Sequence, residues 1–227
     1  METQDFDPRD RKQYYYSDTP FRRTVVALLT VLSRPFMKLK VNGLEHLPSE
    51  GAVVLVANHV TTFDVFPMQI SLPRPIFYMG KAELFRNGLV DAVFRRMGAF
   101  PVYRGEKDAW AMRHAARILE HGQALGMFPE GTRSRGRGLG VAKTGAARLA
   151  IDARCPVVPM ALVGSDRFFR QLPRPNTVTV SLLPPIVPTA DDTPLSLTDR
   201  VMFSLASALP LDMRGVYSEL PKGFKIQ

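Results

Sequence analysis

The chain has 227 residues, 45% hydrophobic and 22% charged, with 30 Lys and Arg against 21 Asp and Glu and a net charge of +9. That size and composition suit one globular domain and exclude disordered and fibrous classes. A single cysteine, Cys155, excludes a disulfide framework and a cysteine-built zinc site. The positive excess points to an anionic partner, with nucleic acid, an anionic membrane surface and a phosphorylated small molecule all open.

Residues 1–20 are polar and include acidic side chains, unlike a signal or transit peptide, and predict a mobile or loosely docked tail in a reducing cytoplasm. Residues 21–41 differ. Phe21, Val25, Leu28, Leu29, Leu32 and Phe36 recur on one helical face, bracketed by Arg22, Arg23, Arg34, Lys38 and Lys40. Pro35 is placed to kink or end the helix. Such a basic, apolar helix is too short to span a bilayer, and two readings stay open for it. It can lie in the membrane interface as an arm, or pack on the domain.

From residue 42 to 227 the pattern becomes that of one domain. Short apolar runs at 52–57, 76–79, 99–102, 124–128, 157–163 and 177–183 predict strands. Helical periodicity at 62–71, 88–97, 107–121, 143–154 and 196–209 lies between and after them, and the last 18 residues carry no clear signal. Interleaved strands and helices predict an α/β domain with a mixed, largely parallel sheet flanked by helices.

Candidate chemistry collects at the predicted strand ends, where α/β proteins build their sites. After the 52–57 run comes Asn58-His59-Val60-Thr61-Thr62-Phe63-Asp64. On a continuous helix His59 and Asp64 would be about 140° apart, so the pair meets only across a turn. With Thr61 or Thr62 capping a helix, Asp64 falls in the first turn and can fix the imidazole tautomer, leaving the other ring nitrogen as a base. The plainer alternative is a helix-start aspartate and a turn histidine. After the 124–128 run comes Pro129-Glu130-Gly131-Thr132-Arg133-Ser134, with Arg135, Arg137 and Lys143 following among glycines. This reads as a basic loop able to gather round a phosphate, or as a solvated surface loop. Lys81 and Arg104 follow two further strand runs.

NHVTTFD, GAFPVYR, FPEGTRS and VPMAL together resemble the four ordered motifs of the glycerolipid acyltransferase family. The resemblance covers roughly residues 41–190, and its first and third motifs lie about 70 residues apart. It implies the glycerol-phosphate-acyltransferase type of α/β fold with a short N-terminal helical membrane arm. It implies transfer of an acyl group from acyl-CoA or acyl-carrier protein to the sn-2 hydroxyl of a lysophosphatidic acid-type lipid, with no cofactor and no metal. His59 then matches the general base and Asp64 its partner. Arg104, Glu130, Gly131, Thr132 and Arg133 match acceptor-binding positions, and Lys81 a basic residue near the carbonyl or phosphate. Pro159 lies in the segment tied to the acyl donor. Backbone donors near Gly131, or Lys81, are expected to meet the oxyanion.

The chain departs from the family pattern at Val141-Ala142-Lys143, where an aromatic residue commonly precedes the lysine, and at Phe100 and Tyr103. These changes bear on acceptor and acyl-chain preference. A family member acting on another lysolipid is an alternative. So are a metal-dependent hydrolase built on His59, Asp64 and Glu130, and a basic nucleic-acid-binding domain. Neither of the last two has the further ligands or the recognition motif it needs. The expected location is peripheral, on the cytoplasmic face of an anionic membrane, with no nucleic-acid partner.

Overall fold

A computed structural model of the chain describes residues 7–103, 108–167 and 174–226. Its elements in chain order are α1 (Pro20–Ser33), β1 (Met37–Asn42), β2 (Val53–Ala57), α2 (Val65–Ser71), β3 (Ile76–Lys81), α3 (Gly88–Arg96) and β4 (Ala99–Val102). After them come α4 (Ala109–Glu120), β5 (Ala124–Met127), α5 (Gly145–Asp152), β6 (Val157–Val163), β7 (Asn176–Leu182) and α6 (Pro194–Ser207). Among the described residues the strands form one sheet in the order β1-β7-β6-β2-β5-β3-β4. The block from β6 to β4 is parallel, whereas β7 pairs antiparallel with β6 and parallel with β1. The sheet is therefore mixed and largely parallel, as the spacing predicts.

Every residue of β2 is buried, because the strand is central and both of its faces are covered. Its alternating side chains divide the core into two layers. Val54 and Val56 pack with residues of α4, α5 and α6 on one face, while Val53, Leu55 and Ala57 pack with Met68 and Leu72 around α2 on the other. Truncating a fully buried leucine such as Leu55 to Ala would cost about 2–5 kcal/mol.

The N-terminal region differs from its expectation in two ways. First, the helix ends at Ser33, next to the Pro35 stop, but the rest of the expected helical arm, Met37–Asn42, is an edge strand. Met37, Leu39 and Val41 point inward while Lys38 and Lys40 face solvent, a period of two that the preceding helical pattern hides. Lysines on an edge strand also discourage further strand pairing. Secondly, the polar tail is docked over its described residues, from Asp7 onward. Arg9 is buried and its guanidinium bonds Asp108 at 2.6 and 2.9 Å, lying over the rings of Tyr103 and Trp110. The Trp110 indole N–H donates to Asp10 at 2.7 Å, and Lys12 pairs with Asp91 at 2.7 Å. Arg9, Asp10 and Lys12 each find a partner far along the chain, which composition cannot reveal.

α1 starts on a Thr19 cap followed by Pro20 and packs on α2. Its inner side is half-buried at Val25, Val26 and Leu29. Leu28, Val31 and Leu32 form an exposed apolar ridge, each between 55% and 57% accessible. Among the described residues no helix is long and apolar enough to cross a membrane.

Candidate active site

Because β2, β3, β4, β5 and β6 run parallel, their C-terminal ends share one edge of the sheet. His59 follows β2, Lys81 ends β3, Glu130 follows β5 and Ser165 follows β6. Arg104, expected at the same edge beyond β4, lies outside the described residues.

The turn required between His59 and Asp64 is present. Thr61 caps a 3-10 turn at Thr62–Asp64, its hydroxyl accepting from Phe63 N, and the Asp64 carboxylate closes a reciprocal box on the Thr61 backbone. His59 Nδ1 lies 2.8 Å from Asp64 Oδ2. The same oxygen accepts the backbone N–H groups of Val60 at 2.7 Å and Thr61 at 2.9 Å. An oxygen receiving two N–H donors is an acceptor, so the Nδ1–H of His59 donates to it and Nε2 keeps a free lone pair. Asp64 is fully buried and His59 is 7% exposed, with its ring stacked on Phe128 at 4.0 Å.

The loop after β5 wraps this pair. Glu130 Oε1 accepts His59 N at 3.2 Å and Oε2 accepts Gly140 N at 2.9 Å. Ser134 N donates to His59 O at 2.7 Å, and Arg133 Nη1 donates to Thr62 Oγ1 at 2.6 Å. Burial pushes the Glu130 carboxyl above the usual carboxylate range, against the pull of its two N–H donors. Both Glu130 oxygens thus face backbone, and the residue braces the His59 turn. Gly131 sits at φ 69°, and a Cβ there would crowd the Lys143 side chain that lies across it.

The groups around the expected oxyanion donors already have partners. Gly131 N–H is committed to Phe128 O at 3.0 Å, and Lys81 pairs with Glu83 at 3.2 Å on the exposed rim. Thr132 and Arg133 line a groove of about 360 Å³ that Arg137 also enters. A second cleft of about 360 Å³ shares Ser134, Gly138 and Leu139 with the first and extends past Asn58 and Val60 after β2 to Gly164 after β6. Among the described residues no three His, Cys, Asp or Glu side chains gather as a metal ion would need.

Two supporting residues gain their contacts only in the fold: in the chain Asn58 stands only as the first residue of its motif, and Ser165 carries no signal. Asn58 is buried and clamps β6, giving its amide to Leu162 O at 2.9 Å and accepting Leu162 N at 2.8 Å. Ser165 donates its hydroxyl to Asp64 Oδ1 at 2.5 Å across 101 positions of sequence. His114, in α4, lies far from this edge in an aromatic nest of Trp110, Phe100, Tyr14 and Tyr16.

The acyltransferase family model matches residues 38–163, more than half of the chain. A 1-acyl-sn-glycerol-3-phosphate acyltransferase of Borreliella burgdorferi is 30% identical over 135 residues, covering 59% of this chain and 54% of that protein. The Bacillus subtilis protein of the same name is 34% identical over 128 residues, covering 56% and 63%. The alpha form from Homo sapiens is 29% identical over 178 residues, covering 74% and 62%. In each case the match spans less than two thirds of the relative's own length. The crystal structure of the 1-acyl-sn-glycerophosphate acyltransferase PlsC from Thermotoga maritima shares the fold, with a TM-score of 0.61 at 22% identity over 76% of this chain and 73% of that one. The chain belongs to the acyltransferase family.

Proposed function

We propose that this member of the acyltransferase family transfers a fatty acyl group from an acyl thioester to the sn-2 hydroxyl of a 1-acylglycerol-3-phosphate, producing phosphatidic acid. The observation that carries the reading is the buried His59–Asp64 pair, with its free imidazole nitrogen, set beside the Arg133 and Arg137 groove at one sheet edge. The names of the relatives support the choice of reaction.

In the proposed reaction His59 Nε2 takes the proton of the acceptor hydroxyl as its oxygen attacks the thioester carbonyl. Asp64 holds Nδ1–H and stabilises the imidazolium. As the carbon–sulfur bond breaks, the imidazolium returns the proton to the departing thiolate. Arg133, with Arg104 and Arg137, holds the acceptor's phosphate so that its hydroxyl faces the base. Two adjoining clefts, which share Ser134, Gly138 and Leu139, suit a reaction of two substrates. The thioester, on CoA or a carrier protein, is the co-substrate, and the reaction needs no further cofactor.

The exposed ridge of α1, with Arg34, Lys38 and Lys40 exposed nearby, supports peripheral attachment to an anionic bilayer, where a lysolipid acceptor resides. The purified protein should be given labelled acyl-CoA or acyl-carrier protein with a panel of lysolipids, and the products identified by mass spectrometry. Labelled phosphatidic acid is the expected product. Transfer to no lysolipid, or only to phosphate-free acceptors, overturns the assignment.

A further inference from the structure

Asp64 has two carboxylate oxygens, and only one of them faces His59. Oδ2 serves His59 Nδ1 and two backbone amides. Oδ1 receives the Ser165 hydroxyl at 2.5 Å and a longer contact from Thr61 Oγ1 at 3.3 Å. Asp64 and Ser165 are 0% and 1% exposed, so bulk water does not reach Oδ1 to replace that donor. An acceptor left unpaired at such a site loses its hydrogen bond outright.

The corner between β6 and β7 is built to aim this hydroxyl. Gly164 has φ 90°, and a Cβ there would collide with the Thr177 carbonyl oxygen. The Asn176 side-chain amide donates to Gly164 O, and Asn176 is itself buried and anchored through its N–H to Phe36 O at 2.9 Å. Ser165 then opens a 3-10 turn, Ser165–Arg167, directly behind the carboxylate.

We infer that Ser165 is a positioning residue for the catalytic pair, its hydroxyl holding the Asp64 carboxylate turned so that Oδ2 stays on Nδ1 of His59. The inference rests on the proposed acyl transfer for its kinetic readout. It differs from the known motifs in adding a donor from the far end of β6. The hydroxyl also spreads the negative charge of Asp64, so that its loss makes the pair hold a proton more tightly. Among the described residues the charged groups bonded to the turn are Glu130 on the His59 backbone and Arg133 on Thr62, and Asp166 follows Ser165 in the chain. A change at Ser165 leaves all three in place.

Ser165→Ala removes one oxygen and adds no bulk. Turnover should fall about tenfold with the KM for each substrate within about twofold, and the acid limb of the kcat/KM profile should move up by about half a pH unit. Ser165→Thr, which keeps a hydroxyl, should recover part of the turnover and return the limb toward wild type. An unmoved limb in Ser165→Ala, whether turnover is normal or falls only with the folded fraction, overturns the inference. The His59 imidazole titration followed by NMR gives the same comparison without any substrate. If the wild-type protein transferred no acyl group, the proposed function would fail, while an upward shift in that titration would still uphold the Ser165 contact and no shift would reject it.

Discussion

Glu130 Oε1 accepts the backbone N–H of His59 at 3.2 Å, so the acidic residue of one motif braces the turn that carries the histidine of another. Its second oxygen holds Gly140 N at 2.9 Å, closing the basic loop against the same turn. Glu130→Gln places an NH2 donor opposite one of these N–H donors and removes half of the acceptor capacity. The expected result is a loss of about 1–3 kcal/mol of stability, read by urea denaturation, together with reduced turnover. A variant as stable and as active as wild type would show that the two N–H bonds do no bracing.

His59→Ala should lower turnover on the order of a hundredfold or more, because the acceptor hydroxyl then has no positioned base. Circular dichroism should show the fold retained, since His59 sits at a strand exit and its ring packs mainly on Phe128. Near-normal turnover in the purified variant refutes the assignment.

Arg133→Ala should raise the KM for a phosphorylated acceptor roughly tenfold or more while altering the KM for the thioester little, the pattern of lost binding to one substrate. Steady-state kinetics with each substrate varied in turn makes the measurement. An unchanged acceptor KM would remove Arg133 from the phosphate site.

His114 supplies a pH test of stability apart from the site. Burial, reinforced by Arg117 and Arg9 and opposed by Asp10, lowers its pKa from 6.5 to about 4. Above pH 6.5 the imidazole is neutral in both the folded and unfolded chain and exerts no pH dependence. Between 6.5 and about 4 the unfolded chain binds the proton and the folded chain does not, so stability falls with falling pH by up to about 3 kcal/mol. Urea denaturation at pH 7, 5.5 and 4.5 should show this loss, with a smaller one in His114→Phe. Equal slopes for the two proteins would place the proton elsewhere.

Leu28→Glu with Leu32→Glu should weaken binding to anionic liposomes, since both side chains are more than half exposed and hold little of the core. Cosedimentation with vesicles containing phosphatidylglycerol is the assay. Unchanged binding would move the contact away from α1. Substitution is cleaner than truncation at residue 41, which would strip β1 from the sheet edge.

The strand and helix order from residue 42 onward was legible in the chain, because local periodicity and burial on one or two faces leave their mark on adjacent residues. So was the meeting of His59 with Asp64, since they are five positions apart and Thr61 marks the turn between them. Local pattern failed first at β1, where Pro35 marks the end of the helix but Lys38 and Lys40 read as its basic flank and not as the outward side of a strand. It failed again at the polar tail, where the guanidinium of buried Arg9 bonds Asp108, 99 positions away, as well as nearby Asp7. Tertiary structure alone decided that Glu130 braces His59 across 71 positions, that the Gly131 amide is already occupied, and that Ser165 reaches Asp64 across 101. The physical reason is common to all three. A hydrogen bond between distant segments depends on where the parallel strands end together, and a chain read residue by residue records which groups can bond but not which of them the sheet brings within 3 Å or so of one another.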